Sequence, residues 1–220
     1  MVIRLQREIE KLREQFMEMA GAVEETVKKT IFCVNSRDKE LAEKIASSDH
    51  AIDKLEVELE ESCLKVLALY QPVATDLRFI VTALKANSDL ERIADLAANI
   101  CERVIFLVEK ERFEFPFDFN RMSAVMLSML KKSIDALVSA DKTMAYEVIL
   151  MDSEIDEIHK EMYKKVAVEI RKNPENIELM INVVGISRYI ERLADHITNI
   201  AEDIIYMIDG EIIRHNYKKI

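Results

Sequence analysis

Glu91 and Asp95 stand four residues apart, and the same pair returns as Glu191 and Asp195. On a helix turning about 100° per residue, the members of each pair lie about 40° apart, so each pair presents two carboxylates on one face. Asn99 and Glu102 extend that face in the first copy, and Asn199 and Glu202 extend it in the second. An earlier helix carries a matching column, because Asp49, Asp53, Glu56 and Glu60 fall within a band of about 60°. The later half keeps Asp152 and Asp156 and puts His159 and Tyr163 in the third and fourth places. Carboxylates stacked at this spacing repel one another, by a few tenths of a kcal/mol per exposed pair on the order of magnitude, and by more when shielded from water. A cation relieves that repulsion directly. Oxygen ligands suit Mg, Mn, Ca or Fe, and the imidazole of His159 extends the range to Zn.

An acidic column on a helix is ordinarily a solvated face laced by Lys and Arg at the next turn. Here the basic partners are missing: Glu91 meets Asp95, and Asp95 meets Asn99. Arg92 and Arg192, about 100° round their helices, are placed to bridge the stripe from the side. The Asp156-x-x-His159 element is like that of di-iron bundles, but those use two copies, and Glu56 takes the equivalent place in the first half. His196, beside Asp195, suits a structural role at least as well as ligation. No Gly-rich phosphate loop and no Ser/His/Asp or Cys/His nucleophile set is present, so catalysis has no positive support. Two alternatives to a metal-binding, non-enzymatic protein stay open. One is a metal-independent helical scaffold whose acids meet a basic protein surface; the other is a ferritin-like di-iron oxidase.

The elements that must position these residues are helices. Apolar residues Leu12, Phe16, Met19, Val23, Val27, Ile31 and Val34 recur in steps of three and four, one continuous helical stripe. After Asp38 a short helical stretch leads to the capping cluster Ser47-Ser48-Asp49, from which a second long helix runs toward Tyr70. Pro72 ends it, and Thr75 is placed to cap a third helix of about 35 residues that fades before Phe115-Pro116-Phe117. Small residues Ala94 and Ala98, with Ala194 and Thr198 in the second copy, border the acidic face and let another backbone approach.

The series then restarts. Phe16 answers to Phe119, Lys28-Lys29 to Lys131-Lys132, Asp38 to Asp141, Asp49 to Asp152 and Asp53 to Asp156, all at an offset of 103 residues. Glu91 to Glu102 matches Glu191 to Glu202 at seven of twelve positions. Repetition at this scale predicts an all-α protein made of two three-helix bundles, residues 1–112 and 113–220, related by approximate two-fold symmetry.

Composition narrows the class further. Half of the 220 residues are apolar and only three are Gly and three Pro, which suits long helices and excludes disorder. With 31 basic against 41 acidic residues the formal net charge is −10, which argues against nucleic acid as the partner. Cys33, Cys63 and Cys101 are odd in number and widely spaced, so they form neither a disulfide framework nor a metal knuckle and point to a reducing cytosol. The 11 Met mostly follow the apolar stripes as core filling. No apolar run approaches the roughly 18 residues of a membrane span.

Gln71-Pro72-Val73-Ala74-Thr75-Asp76-Leu77-Arg78, Asp89-Leu90-Glu91-Arg92-Ile93-Ala94-Asp95 with Asn99, and Ile190 to Glu202 with Ile205-Tyr206 closely resemble the PhoU family of phosphate-signalling proteins. The likeness spans essentially the whole chain. It implies a cytoplasmic, dimeric regulator, peripheral to the inner face of the membrane through its partners. Those partners would be the ATPase component of the phosphate ABC transporter and the sensor histidine kinase of the starvation response. Such a regulator dampens phosphate uptake and starvation signalling. The resemblance also implies polynuclear iron or zinc on Glu91, Asp95, Asp49, Asp53 and Glu102 in the first half. In the second half it implies the same on Glu191, Asp195, Asp152, Asp156 and Glu202; the stripes themselves add Glu56 and Asn99 in the first half and His159 and Asn199 in the second as candidate further ligands. The Asp76-Leu77-Arg78 opening has no match in the second half, where Asn173-Pro174-Glu175-Asn176 begins the helix. A partner contact through Arg78 would therefore belong to one half alone.

Overall fold

A computed structural model describes residues 2–47 and 50–213; Ser48 and Asp49 lie outside the described residues. The first half comprises α1 (Val2–Ser36), α2 (Lys39–Ala46), α3 (His50–Tyr70) and α4 (Ala74–Val108). The second comprises α5 (Phe119–Ser139), α6 (Lys142–Lys172), a 3-10 turn over Pro174–Asn176 and α7 (Ile177–Asp209). No strand occurs among the described residues, so the expected all-α architecture is what forms.

The repeat is visible in the chain's corners. Arg37 and Ala140 both sit at positive φ, 56° and 50°, closing α1 and α5 in the left-handed conformation usual after a helix. The next residue in each case is an aspartate that caps the following helix. Asp38 Oδ1 accepts from the Leu41 amide at 3.0 Å, and Asp141 Oδ1 accepts from Thr143 at 2.8 Å. The halves then diverge. Ser47 Oγ donates back to the Glu43 carbonyl and closes α2, whereas α6 runs unbroken through the equivalent stretch. Ser47 therefore ends one helix and does not cap the next.

Thr75 does not cap the third long helix. Val73 holds the cap position without a side-chain bond, and Thr75 is exposed within the first turn. The turn is made by backbone: Gln71 and Ala74 lie at φ 48° and 49° on either side of buried Pro72 and exposed Val73.

The core follows the apolar stripes. Leu12, Phe16, Met19, Val23 and Val27 of α1 are buried, as are Met122, Met126, Met129 and Leu130 of α5. The centre is an antiparallel crossing of α4 and α7. Arg78 Nε donates to the Met207 carbonyl at 2.9 Å, Thr82 Oγ1 to the Asp203 carbonyl at 3.1 Å, and Arg103 Nη1 to Asn182 Oδ1 at 3.2 Å. Arg78 thus satisfies a carbonyl near the end of α7 and packs on Gly210. The segment between the halves is strapped down: Arg37 Nη1 donates to the carbonyls of Leu107, Lys110 and Glu111, and its guanidinium lies 4.8 Å from the Phe113 ring centroid.

Candidate functional site

Each half brings carboxylates from two neighbouring helices together. In the first, α3 supplies Asp53, Glu56 and Glu60, and α4 supplies Glu91 and Asp95. Asn87, buried on α4, fixes the spacing by donating from Nδ2 to the Glu56 carbonyl at 2.8 Å. Ala94 is buried between the helices, so the small residue beside the acidic face lets them approach. Burial raises the Glu56 carboxyl above the usual carboxylate range, the neighbouring Glu60 and Asp53 add to this, and Arg92 opposes it. Burial and then Asp95 raise Glu91 in the same way. Arg92 answers both acids of its helix, with Nη1 at 3.1 Å from Asp95 Oδ2 and Nε at 3.5 Å from Glu91 Oε2.

The second cluster is built from Asp152 and Asp156 of α6 with Glu191 and Asp195 of α7. Among the described residues none of these four makes an ion pair with a Lys or Arg. Burial first, then Asp156, Asp195 and Glu191, push the Asp152 carboxyl from the ordinary 3.8 up to about 6. Asp195 is pushed to about 6 as well, by partial burial and then by Glu191 and Asp156. The Asp195 residue as a whole stays exposed, so water screens much of that energy. Glu191 is raised by burial and then by Asp156, with Arg188 and Arg192 opposing this from beyond ion-pair distance. Beside Asp152 and Asp156 opens a cleft of about 280 Å³ walled by Tyr146, Ile149, Leu150, Ser153 and Thr198. Thr198 is 7% exposed, and its Oγ1 leans toward Asp152 without completing a hydrogen bond.

Not every predicted residue joins these clusters. His159 stands at the edge of the second, its Nδ1 2.8 Å from Ser187 Oγ and its ring edge-on to Tyr163; burial lowers its affinity for a proton. Asn99 turns back on its own helix, donating to the Asp95 carbonyl at 2.8 Å. Asn199 faces α4: together with His196 it holds Asp89, at 3.4 Å and 2.8 Å. That contact spans the two halves and settles His196 as a structural residue. Glu102 is exposed about 10 Å beyond Asp95 along its helix. Glu202 is buried beside the Lys85–Asp203 ion pair, in a crevice with Tyr206, Ile212 and Ile213. The helical stripe is continuous, but α3 and α6 line only part of it.

The donor set is oxygen-rich and short of compensating charge, which suits a hard cation. Among the described residues, however, no three His, Cys, Asp or Glu side chains already converge on one point as a finished metal site. Sequence reasoning missed the hydroxyl of Thr198 as a donor. The signal was there in the repeat, since the aligned residue of the first half is Ala98. Buried Cys33 and Cys63, both pushed up to about 12 by burial, offer no thiolate to a metal.

Comparison with known proteins identifies the family of this fold. A PhoU domain profile matches residues 16–104 and again 119–204. The phosphate-specific transport system accessory protein PhoU homolog of Aquifex aeolicus is 36% identical over 217 residues, 99% of this chain and 98% of that protein. Homolog 1 of Thermotoga maritima is 33% identical, over 95% of this chain and 90% of that protein. The crystal structure of PhoU from Pseudomonas aeruginosa superposes with a TM-score of 0.88 at 30% identity, covering 94% of this chain and 99% of that one. The phosphate transport system regulatory protein PhoU from Streptococcus pneumoniae gives 0.87 at 32% identity, covering 94% and 98%.

Proposed function

The chain belongs to the PhoU family, accessory proteins of phosphate-specific transport, and from that premise we propose that it is a negative regulator of phosphate uptake and starvation signalling. It works as a metal-binding adaptor between the ATPase component of the phosphate ABC transporter and the sensor histidine kinase. It is a homodimer in the cytoplasm, at the inner face of the membrane. No helix among the described residues is long and apolar enough to cross a membrane.

The observation that carries the metal reading is the second cluster: four carboxylates with no ion-pair partner among the described residues, two of them pushed up to about 6 by burial and by one another. Asp152, Asp156, Glu191 and Asp195, with Thr198, would hold the ion there, and Asp53, Glu56, Glu91 and Asp95 would hold it in the first half; Asp49 lies outside the described residues. Iron or zinc are the leading ions, and Mg, Mn and Ca share the preference for these oxygens. A bound ion supplies positive charge that turns two acidic faces into nearly neutral ones, and so changes what each face offers a protein partner.

Two measurements test this. Protein purified without chelator is expected to contain metal, and the variant with Glu91, Asp95, Glu191 and Asp195 all changed to Ala to contain none; full metal retention in that variant would overturn the assigned site. A pull-down against transporter and kinase components at high and low phosphate is expected to capture both. Capture of neither at either level would refute the adaptor role, and salt-sensitive capture indifferent to metal would favour the metal-independent scaffold.

A further inference from the structure

The two clusters look alike in sequence and differ in their counter-ions. In the first, Arg92 reaches Asp95 at 3.1 Å and Glu91 at 3.5 Å, so a guanidinium already pairs with both acids of α4. In the second, the aligned Arg192 is exposed and makes no ion pair among the described residues. The second cluster also has what the first lacks. Thr198, 93% buried by its 7% exposure, turns an unpartnered Oγ1 toward Asp152 at the wall of a cleft, where the first half has the methyl of Ala98. Unbroken α6 keeps Asp152 and Asp156 one turn apart on a rigid helix.

We propose that the two clusters are unequal cation sites: Arg92 is the ion-paired counter-ion of the first, and the second, whose acids make no ion pair among the described residues, loads first. This rests on the metal reading above and adds an order to it. A cation bound by Glu91 and Asp95 competes with a guanidinium for both, at the cost of two ion pairs of the exposed class; one bound by the second cluster breaks no ion pair among the described residues. Removing Arg92 should therefore improve the first site by about three- to tenfold. Arg188 and Arg192 contribute charge to the second site at a distance and no ion pair, so removing Arg192 should change that site by less than about twofold.

The test is Mn(II) uptake by the full chain, followed as loss of the free-ion EPR signal. The expected result is two phases. The tighter disappears in Asp152→Asn with Asp195→Asn, and the weaker disappears in Glu91→Gln with Asp95→Asn. Arg92→Ala tightens the weaker phase, and Arg192→Ala leaves the tighter one nearly unchanged. Equal phases, a tighter phase that maps to the first cluster, or a weaker phase indifferent to Arg92→Ala would each overturn the order of loading while leaving metal binding intact. No uptake at either cluster would bring down the metal reading itself, and the order with it.

Discussion

Asp152→Asn should make the metal-free protein more stable at neutral pH. The side chain keeps its shape and loses the charge that burial and three neighbouring acids oppose. A rise from 3.8 to about 6 is worth roughly 3 kcal/mol at full weight. Asp152 is only half-buried, so solvent screening reduces this to about 1 kcal/mol. The sign follows from linkage. The folded state holds this proton more tightly than the unfolded state, so the penalty is absent below about pH 4, grows as pH rises through 6, and is fully present above it. The variant should thus gain about 1 kcal/mol at pH 7.5, or about 2–4 °C in Tm for a chain of this size, and nothing at pH 4. Chelator-treated wild type and variant would be compared by urea unfolding and thermal melting at both pH values in low salt. Added Mn(II) should reverse the ranking at pH 7.5, because only the intact cluster gains binding energy. A variant less stable than wild type at pH 7.5 without metal, or a gain of the same size at pH 4, would refute the idea that unrelieved charge is stored in this cleft.

Asp89→Ala removes the acceptor shared by His196 and Asn199 between the halves and should cost about 1–3 kcal/mol in urea unfolding. Arg37→Ala abolishes three bonds to carbonyls and the contact with Phe113; about 2 kcal/mol should be lost, and limited proteolysis should cut first between residues 109 and 118. Gly21→Ala places a methyl where nothing lies within 4 Å and should raise stability by about 1 kcal/mol through helix propensity alone. Phe16→Ala empties a fully buried position and should cost about 3–5 kcal/mol, read from the urea midpoint.

The parts of the fold governed by short-range periodicity were legible. The stripe from Leu12 to Val34 is one helix because apolar residues at steps of three and four have a single way to share a face, and the repeated Asp38 and Asp141 cap because an aspartate before a helix accepts nearby amides. The parts decided by contacts far apart in the chain were not. Arg78 is fixed by a carbonyl 129 residues away, and Asn199 by an aspartate 110 residues away. Helical spacing sets Glu202 on the acidic face, but α4 and the segment after Gly210 wall this end of the face, and that packing is not written in the spacing. Thr75 had the chemistry of a cap and lost the position to a turn made by two residues at positive φ.

Asp195 and His196 are neighbours in the chain that answer to different helices, one to the acids of α6 and the other to Asp89 of α4. A rigid helix cannot move one of them without the other. Any displacement of α7 that widens or closes the cleft beside Asp152 is therefore also a rotation of the contact between the two halves. The second cluster and the contact between the two halves thus share one helix as their common support.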